Sequence, residues 1–356
     1  MLPIINNYRK NFKIISIAVL LFTTSCFIFS CAEKHSSRNI ERAFYYWKSV
    51  FKLTDFEKSR MDSLQVNTIY LKFFDVDWDD ESSLPLPKAI VQITDSAYLH
   101  LRAIKIIPTV FITNECLQKI DSIKIIELAD KIIGLIKNIY QPQLYKQPVT
   151  EVQIDCDWSA STKNKYFNLL KRIRQNGVQK LTATIRLHQI KYLAKTGVPP
   201  VDKGLLMCYN MGNIKNPFVK NSILDTEELK KYIGKLANYP LQLDVALPLF
   251  EWFVLLRNNE YRGLIKKLDI TGKAIKKQAD GNFVFLTDTV INEIAFKKDD
   301  IVRYEKCGYD EVIKAAQIIN SKLKTINLRL ALFHLDSITL SKYSINEMEN
   351  IYNSMY

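Results

Sequence analysis

Two carboxylates near the middle of the chain have the clearest capacity for chemistry. Asp155 and Asp157 are separated by one residue and follow a run of strand-forming residues. Side chains alternate across a β-strand, so both carboxylates would point to one face and Cys156 to the other. Like charges at short range raise each other's pKa, which makes such a pair costly for folding alone. The pair therefore predicts a polar site at the end of a strand.

Strand-like runs alternate with helix-like runs along most of the chain, which is the order expected of a parallel sheet. Helix signals include a capping box from Thr54 to Glu57 and apolar residues repeating at i, i+3, i+4 and i+7. The pattern predicts an α/β fold, a (β/α)8 TIM barrel over residues 41–356, with an insertion at about 270–305 between strands 7 and 8. The expected strands are residues 44–47, 68–74, 105–112, 152–157, 181–187, 204–210, 241–247 and 328–335.

In barrels of this type the functional site is built from residues at the C-terminal ends of the strands. Carboxylates, amides and aromatic rings recur at these positions. Such groups hydrogen-bond sugar hydroxyls and stack on the C–H faces of sugar rings, so we expect a glycan or oligosaccharide ligand. The predicted substrate-binding residues are Trp47, Asp75, Asp77, Trp158, Arg186, His188, Tyr209, Asn210, Trp252 and Asp336.

Two of the strand ends resemble motifs of the chitinase-like barrels of glycoside hydrolase family 18. Residues 154–158 are similar to the family's fourth-strand motif, an apolar residue followed by Asp, any residue, Asp and Trp. Residues 207–210 resemble its sixth-strand motif Met-x-Tyr-Asp. The resemblance implies that Asp157 and Tyr209 hold the substrate acetamido group. The family's proton-donating glutamate is replaced by Ser159, and Asn210 stands in place of an aspartate.

A broader likeness, over roughly residues 40–340, is to a family of exported bacterial barrel proteins without an assigned activity. It is carried by residues 74–78, Phe-Asp-Val-Asp-Trp, and residues 153–157, Gln-Ile-Asp-Cys-Asp. This resemblance implies an exported TIM barrel and leaves the chemistry open.

Two functions fit these strand ends. In the first, an exported glycoside hydrolase uses Asp157 to stabilise the transition state and takes its acid from another strand. Glu251 is the first choice for that acid, with Asp155 and Asp336 as further candidates, so Asp157, Asp155 and Glu251 are the predicted catalytic residues. In the second, a degenerate barrel binds a glycan without catalysis, which the missing family glutamate favours. A purely structural ion pair between Asp155 and Arg186 also stays open.

The N-terminus predicts export and a membrane anchor. Basic residues precede an apolar run over residues 14–29, and Cys31 follows in a context that resembles a bacterial lipobox. We expect a lipoprotein signal peptide at residues 1–30, lipidation of Cys31, a tether at 31–40, and location in the bacterial cell envelope. An uncleaved N-terminal anchor is the alternative.

Composition narrows the choice of partners and cofactors. The formal net charge of +13 is scattered along the chain, as in a solvated lysine-rich surface, and nucleic acid is not expected for an exported protein. Neither a CxxC pair nor a zinc-type Cys/His spacing occurs, so we expect no metal and no cofactor. Cys156 and Cys208 lie in apolar strand patterns, which predicts buried thiols.

Overall fold

The computed structural model describes residues 38–94, 104–140 and 149–356. Eight parallel strands close into a barrel, because the first strand pairs with both the second and the eighth: Ala43 lies opposite Thr68 on one side and Ala331 on the other. This confirms the predicted TIM barrel. In chain order the barrel strands are Asn39–Tyr46, Thr68–Asp79, Lys105–Ile112, Glu151–Cys156, Lys180–Arg186, Lys203–Met207, Leu243–Pro248 and Asn327–Phe333.

Helices cover the outside of the barrel and begin where the sequence indicates. Thr54 and Glu57 form the predicted capping box, each satisfying the other's backbone amide. None of the helices within the described residues is long and apolar enough to span a membrane. The α-helices are Asp55–Ser63, Asn114–Lys119, Ile125–Ile139, Lys163–Gln175, Leu187–Lys191, Leu193–Thr196, Thr226–Tyr232, Tyr309–Asn320, Ser337–Leu340 and Ile345–Asn353, and two 3₁₀ turns span Ser122–Lys124 and Ile233–Asn238.

A second, antiparallel sheet is inserted between the seventh and eighth barrel strands. It begins at Glu251, directly after the seventh strand, so the insertion is longer than the expected range of about 270–305. Its own apolar core is centred on Phe285, whose ring stacks on Phe296 with centroids 4.2 Å apart. From edge to edge its strands are Glu260–Ile265, Glu251–Arg257, Ile301–Lys306, Phe283–Phe285 and Ile275–Lys277.

Short pairings complete the sheet structure. Leu84–Lys88 pairs antiparallel with the end of the second barrel strand. Val50–Phe51 pairs with Gln92–Ile93, and a small hairpin joins Thr289–Ile291 to Ile294–Phe296.

The base of the barrel is closed by a buried network of charges. Arg329 donates to both Glu151 carboxylate oxygens and to the Tyr70 hydroxyl. Lys105 and Lys180 each approach Glu151 Oε2 to 3.1 Å. Burial alone raises the pKa of Glu151, but these cations outweigh it and hold the pKa at about 2. Glu151 is therefore a carboxylate at neutral pH. Its ion pairs join the fourth strand to the third, fifth and eighth strands at their amino ends.

Above this network the interior is packed with side chains. Tyr45 donates to Gln153 Oε1 at 2.5 Å, and its ring stacks on Tyr70 with centroids 4.8 Å apart. Because inward-facing residues alternate along the fourth strand, Glu151, Gln153 and Asp155 follow one another from the base toward the mouth. The same alternation brings Asp157 to the rim.

Candidate functional site

Asp155 is buried at the end of the fourth strand and is tied to the fifth. It accepts a 2.6 Å hydrogen bond from Thr184 Oγ1 and lies 3.4 Å from Arg186 Nη2. Burial raises the pKa of Asp155, and the charges of Arg186 and the Thr184 hydrogen bond only partly oppose this. The ion pair left open by the sequence is thus formed, and Asp155 holds the Arg186 guanidinium at the mouth.

Asp157 continues the same face but reaches solvent, with 56% of its side chain exposed. Its Oδ1 lies 3.5 Å from His188 Nε2. Burial lowers the pKa of His188, and the negative charge of Asp157 only partly opposes this. Both side chains open into a cleft of about 200 Å³ at the mouth. The cleft is lined by Asp157, Arg186, Leu187, His188, Tyr209, Asn210, Met211 and Tyr232.

Two polar atoms in this cleft lack a hydrogen-bond partner among the described residues. The Tyr209 hydroxyl and Arg186 Nε are both buried and unpaired. Buried polar groups are nearly always hydrogen-bonded, since leaving one unmade costs about 1–3 kcal/mol. One unpaired hydroxyl and one unpaired guanidinium N–H therefore belong to side chains that line the cleft, and both atoms are shielded from solvent.

Aromatic rings form a wall beside the cleft. Tyr209 packs against Phe333 and Phe250, with ring centroids 5.3 Å and 5.8 Å away. Trp47 contacts Phe333 at 5.9 Å, and Trp252 contacts Phe250 at 5.2 Å. The structure thus brings three predicted residues, Trp47, Tyr209 and Trp252, into one continuous surface. Phe333 was missed because it lies inside a strand that reads only as apolar core.

Asn210 lies on the rim of the cleft in the left-handed backbone region, with φ of 54°. Asn is among the few residues that adopt this conformation readily. Its backbone N–H donates to Ile223 O at 2.8 Å, which fixes the start of the following loop.

Asp75 and Asp77 lie on the second strand. Asp75 pairs with Lys72 at 2.9 Å, and its Oδ1 is buried without a partner among the described residues. Lys72, a lysine within an otherwise apolar strand, was the sequence signal for this ion pair, and the sequence analysis did not use it. Asp77 accepts from the Thr113 hydroxyl at 2.9 Å and lies 3.6 Å from Lys88 Nζ, so it links the second strand to its neighbours.

Trp158 does not reach the site, contrary to expectation. Its side chain is fully buried, donates from Nε1 to Thr196 O at 3.0 Å, and stacks on Tyr166 with centroids 5.0 Å apart. The physical reason is strand alternation, because Trp158 follows Asp157 and so faces the helix layer. It cannot stack on a sugar.

Glu251 also lies away from Asp157. Glu251 does not line the mouth cleft; together with Phe250 it lines a second cleft of about 370 Å³. There Glu251 accepts a 2.5 Å hydrogen bond from the Tyr304 hydroxyl and pairs with Lys342. The first choice for a proton donor is therefore not placed beside the predicted stabiliser.

The end of the eighth strand is occupied by structural contacts. Asp336 caps the helix Ser337–Leu340 and pairs with Lys48 at 2.7 Å. Burial raises the pKa of Asp336, but the Lys48 contact and a backbone hydrogen bond outweigh it and keep the pKa below its usual value. Burial lowers the pKa of His334 to about 4, so its imidazole is neutral at pH 7. Asp336 thus serves the helix start instead of the cleft.

Ser159 stands where the resemblance to family 18 places the acid. Its hydroxyl lies 2.8 Å from that of Ser161, and its backbone N–H donates to Thr162 Oγ1 at 2.9 Å. No group at this position can protonate a leaving oxygen at neutral pH. The four cysteines of the barrel, Cys116, Cys156, Cys208 and Cys307, are buried free thiols.

Solved structures with a similar fold include a spore cortex-lytic enzyme and a chitinase. The spore cortex-lytic enzyme SleL of Bacillus cereus has a TM-score of 0.53 at 12% identity, covering 90% of this chain and 75% of that one. A chitinase from Chromobacterium violaceum has a TM-score of 0.52 at 9% identity, covering 89% and 98%. No protein-family model and no curated protein matches the sequence. The chain is therefore a (β/α)8 barrel with the fold of the chitinase-like barrels.

Proposed function

We propose that this protein binds an N-acetylated oligosaccharide in the cleft at the barrel mouth. The observation that carries the proposal is that two buried groups, the Tyr209 hydroxyl and Arg186 Nε, have no hydrogen-bond partner among the described residues. Both side chains line the cleft together with the exposed carboxylate of Asp157. When these side chains shift toward the cleft, a sugar acetamido group supplies a carbonyl oxygen to the first two and an N–H to the third. The aromatic wall next to Tyr209 offers apolar faces for the sugar ring.

Binding fits the geometry better than hydrolysis of the family-18 type. That reaction needs a carboxylic acid to protonate the leaving oxygen. Ser159 stands at the acid's position, Glu251 faces another cleft, and Asp155 is committed to Arg186 and Thr184. Among the described residues that line the cleft, Asp157 is the one carboxylate.

Replacing Tyr209 with Phe tests the proposal. The hydroxyl is buried and has no partner among the described residues, so its removal should not lower the free energy of unfolding and should raise it by up to about 1–3 kcal/mol. Affinity for chitin oligosaccharides and peptidoglycan fragments should fall about 10-fold or more, because a bound acetamido group loses its hydrogen bond. Titration calorimetry and chemical unfolding measure the two effects.

The matched control is Tyr192→Phe, since Tyr192 is half-exposed and does not line the cleft. It should change neither affinity nor stability. A wild type that binds no member of the glycan panel, or a Tyr209→Phe variant that binds as tightly as the wild type, would contradict the proposal.

Hydrolysis is the second candidate, and the 3.5 Å contact between His188 and Asp157 favours it. In this scheme protonated His188 donates to the leaving oxygen while Asp157 stabilises the acetamido group. Because burial lowers the pKa of His188, turnover would rise as the pH falls below about 6.5. Mass spectrometry of oligosaccharides incubated with the wild type between pH 5 and 7 decides this, and an absence of products excludes it.

We further propose that the barrel is exported and held at the envelope membrane through a lipid on Cys31. The support is the basic and apolar N-terminal sequence, which lies outside the described residues. Cys31→Ala should move the protein from the membrane fraction to the soluble or secreted fraction, whereas Cys26→Ala should not. Equal membrane retention of both variants would indicate an uncleaved anchor instead.

A further inference from the structure

The loop that follows the sixth strand exposes an aromatic ring next to the mouth. Asn210 and Met211, at the start of this loop, line the mouth cleft. Further along, Phe218 is 84% exposed, more than any other large hydrophobic side chain in the described residues. Exposing a phenylalanine at this level is unfavourable for a free surface, because about 25 cal/mol is lost per Å² of apolar area left in water. A ligand that covers the ring would offset this.

The loop is held in place by a buried arginine of the inserted sheet. Arg303 is only 2% exposed and donates to the carbonyl oxygens of Asn216 at 2.9 Å and Ile214 at 3.0 Å. Its Nε donates to Glu305 at 2.6 Å, and the other oxygen of Glu305 accepts from the Ser222 backbone N–H at 2.9 Å. Both ends of the exposed segment are therefore fixed to the insertion.

These hydrogen bonds fix the backbone on both sides of Phe218 before any ligand arrives. Ordering a loop in advance lowers the entropy lost on binding. The loop also carries positive charge, since Lys215 and Lys220 flank Phe218 and no acidic residue occurs over residues 211–224.

We propose that residues 213–220 form an outer platform for an anionic glycan strand that extends from the mouth cleft, with one sugar ring stacked on Phe218. The inference rests on the proposed function and specifies its ligand as a polymer that bears carboxylates. The cleft volume of about 200 Å³ lies below the roughly 300–1,000 Å³ typical of pockets that enclose a drug-sized ligand. Most sugar units of a long strand must therefore lie outside it, and such a strand can continue over the surface of this loop.

A lipid surface fits Phe218 less well. Arg38 donates to the carbonyl oxygen of Thr325, so the chain enters the barrel at the amino ends of the strands. The loop with Phe218 lies at the carboxyl ends, on the opposite face. Within the described residues, Arg38 and the loop with Phe218 therefore lie at opposite ends of the barrel.

The test compares short and long ligands on the Phe218→Ala variant. Phe218 is exposed, so the substitution leaves folding intact. Affinity for a chitin trisaccharide should stay the same, while affinity for soluble peptidoglycan strands should fall about 3- to 10-fold, in line with loss of one aromatic contact. The wild-type preference for the strands should also shrink with added salt, because Lys215 and Lys220 are exposed. Ile326→Ala, at the base of the barrel, is the control and should behave as the wild type.

Each result decides between distinct conclusions. Unchanged binding of the long strands to Phe218→Ala overturns the platform while leaving the proposed function intact. An equal loss for the trisaccharide and the strands also overturns it, because the loop would then shape only the cleft. Binding to anionic phospholipid vesicles that Phe218→Ala abolishes would assign the ring to a membrane. If the wild type binds no trisaccharide, the proposed function fails and the platform with it.

Discussion

Replacing Arg329 with Met is expected to lower the free energy of unfolding by about 3–5 kcal/mol at neutral pH. The substitution keeps most of the side-chain volume but removes the bidentate partner of the buried Glu151 carboxylate. It also removes the donor to Tyr70. Lys105 and Lys180 remain, but their ammonium groups reach a single carboxylate oxygen from the barrel edge. The base of the barrel would then hold a charge that is poorly compensated.

The pH dependence gives this prediction a second readout. The pKa of Glu151 is about 2 in the folded protein, below its ordinary 4.5, so its contribution to stability is present above pH 4.5 and is lost as the pH falls toward 2. In Arg329→Met the folded pKa moves back toward 4.5, so this acid-dependent loss should shrink. Urea unfolding between pH 2 and 7 measures both effects.

Two further variants complete the experiment. Arg262→Met is the matched control, because Arg262 pairs with Glu260 on the surface of the insertion, and it should change stability by no more than about 0.5 kcal/mol. Arg329→Lys keeps the positive charge but loses the bidentate guanidinium, so its free energy of unfolding should lie between those of the wild type and Arg329→Met. Wild-type stability in Arg329→Met would show that the two lysines suffice to hold the base together.

Replacing Ser159 with Glu is expected to give the protein hydrolytic activity on N-acetylated oligosaccharides. Residue 159 lies two positions after Asp157, where the resemblance to family 18 places the proton donor. A general acid contributes typically 10²- to 10⁴-fold to such a reaction. The activity should require Asp157, so that Ser159→Glu combined with Asp157→Asn is inactive.

The control for this gain is Ser159→Gln, which matches the size of glutamate but cannot donate a proton. It should bind oligosaccharides and release no products in a reducing-end assay. If Ser159→Glu binds ligand yet produces no more product than Ser159→Gln, the cleft does not hold the glycosidic oxygen near residue 159. In that event the family-18 arrangement of substrate would be the wrong description of this site.

The barrel could be predicted from the sequence because the patterns that identify its strands and helices are local. Apolar runs of strand length, capping boxes such as Ser344 with Glu347, and 3.6-residue apolar faces each identify one element without knowledge of its neighbours. Their alternating order then leaves few topologies. The extent of the insertion was less accessible, because Glu251–Arg257 follows the seventh strand without a turn signal that separates the two sheets.

The site could be predicted only in part from the sequence, because it depends on the direction of side chains as well as on their position. Strict alternation from Asp157 would have sent Trp158 into the helix layer, where it lies, but its position at a strand end favoured a binding role. Glu251 could be placed only once the path of the insertion was known. The network of Arg329 and Glu151 joins residues 178 positions apart, and neither neighbourhood hints at the other.

The filled interior of the barrel limits how a long polymer can bind at its mouth. Tyr45 with Gln153, and Arg329 with Glu151 below them, leave no passage along the axis, so the mouth is a dead end. A polysaccharide cannot be threaded through and must cross the opening sideways, then withdraw by the route it came. Interior stretches of a polymer are therefore as open to capture as its tips, so binding at the mouth does not require a free chain end.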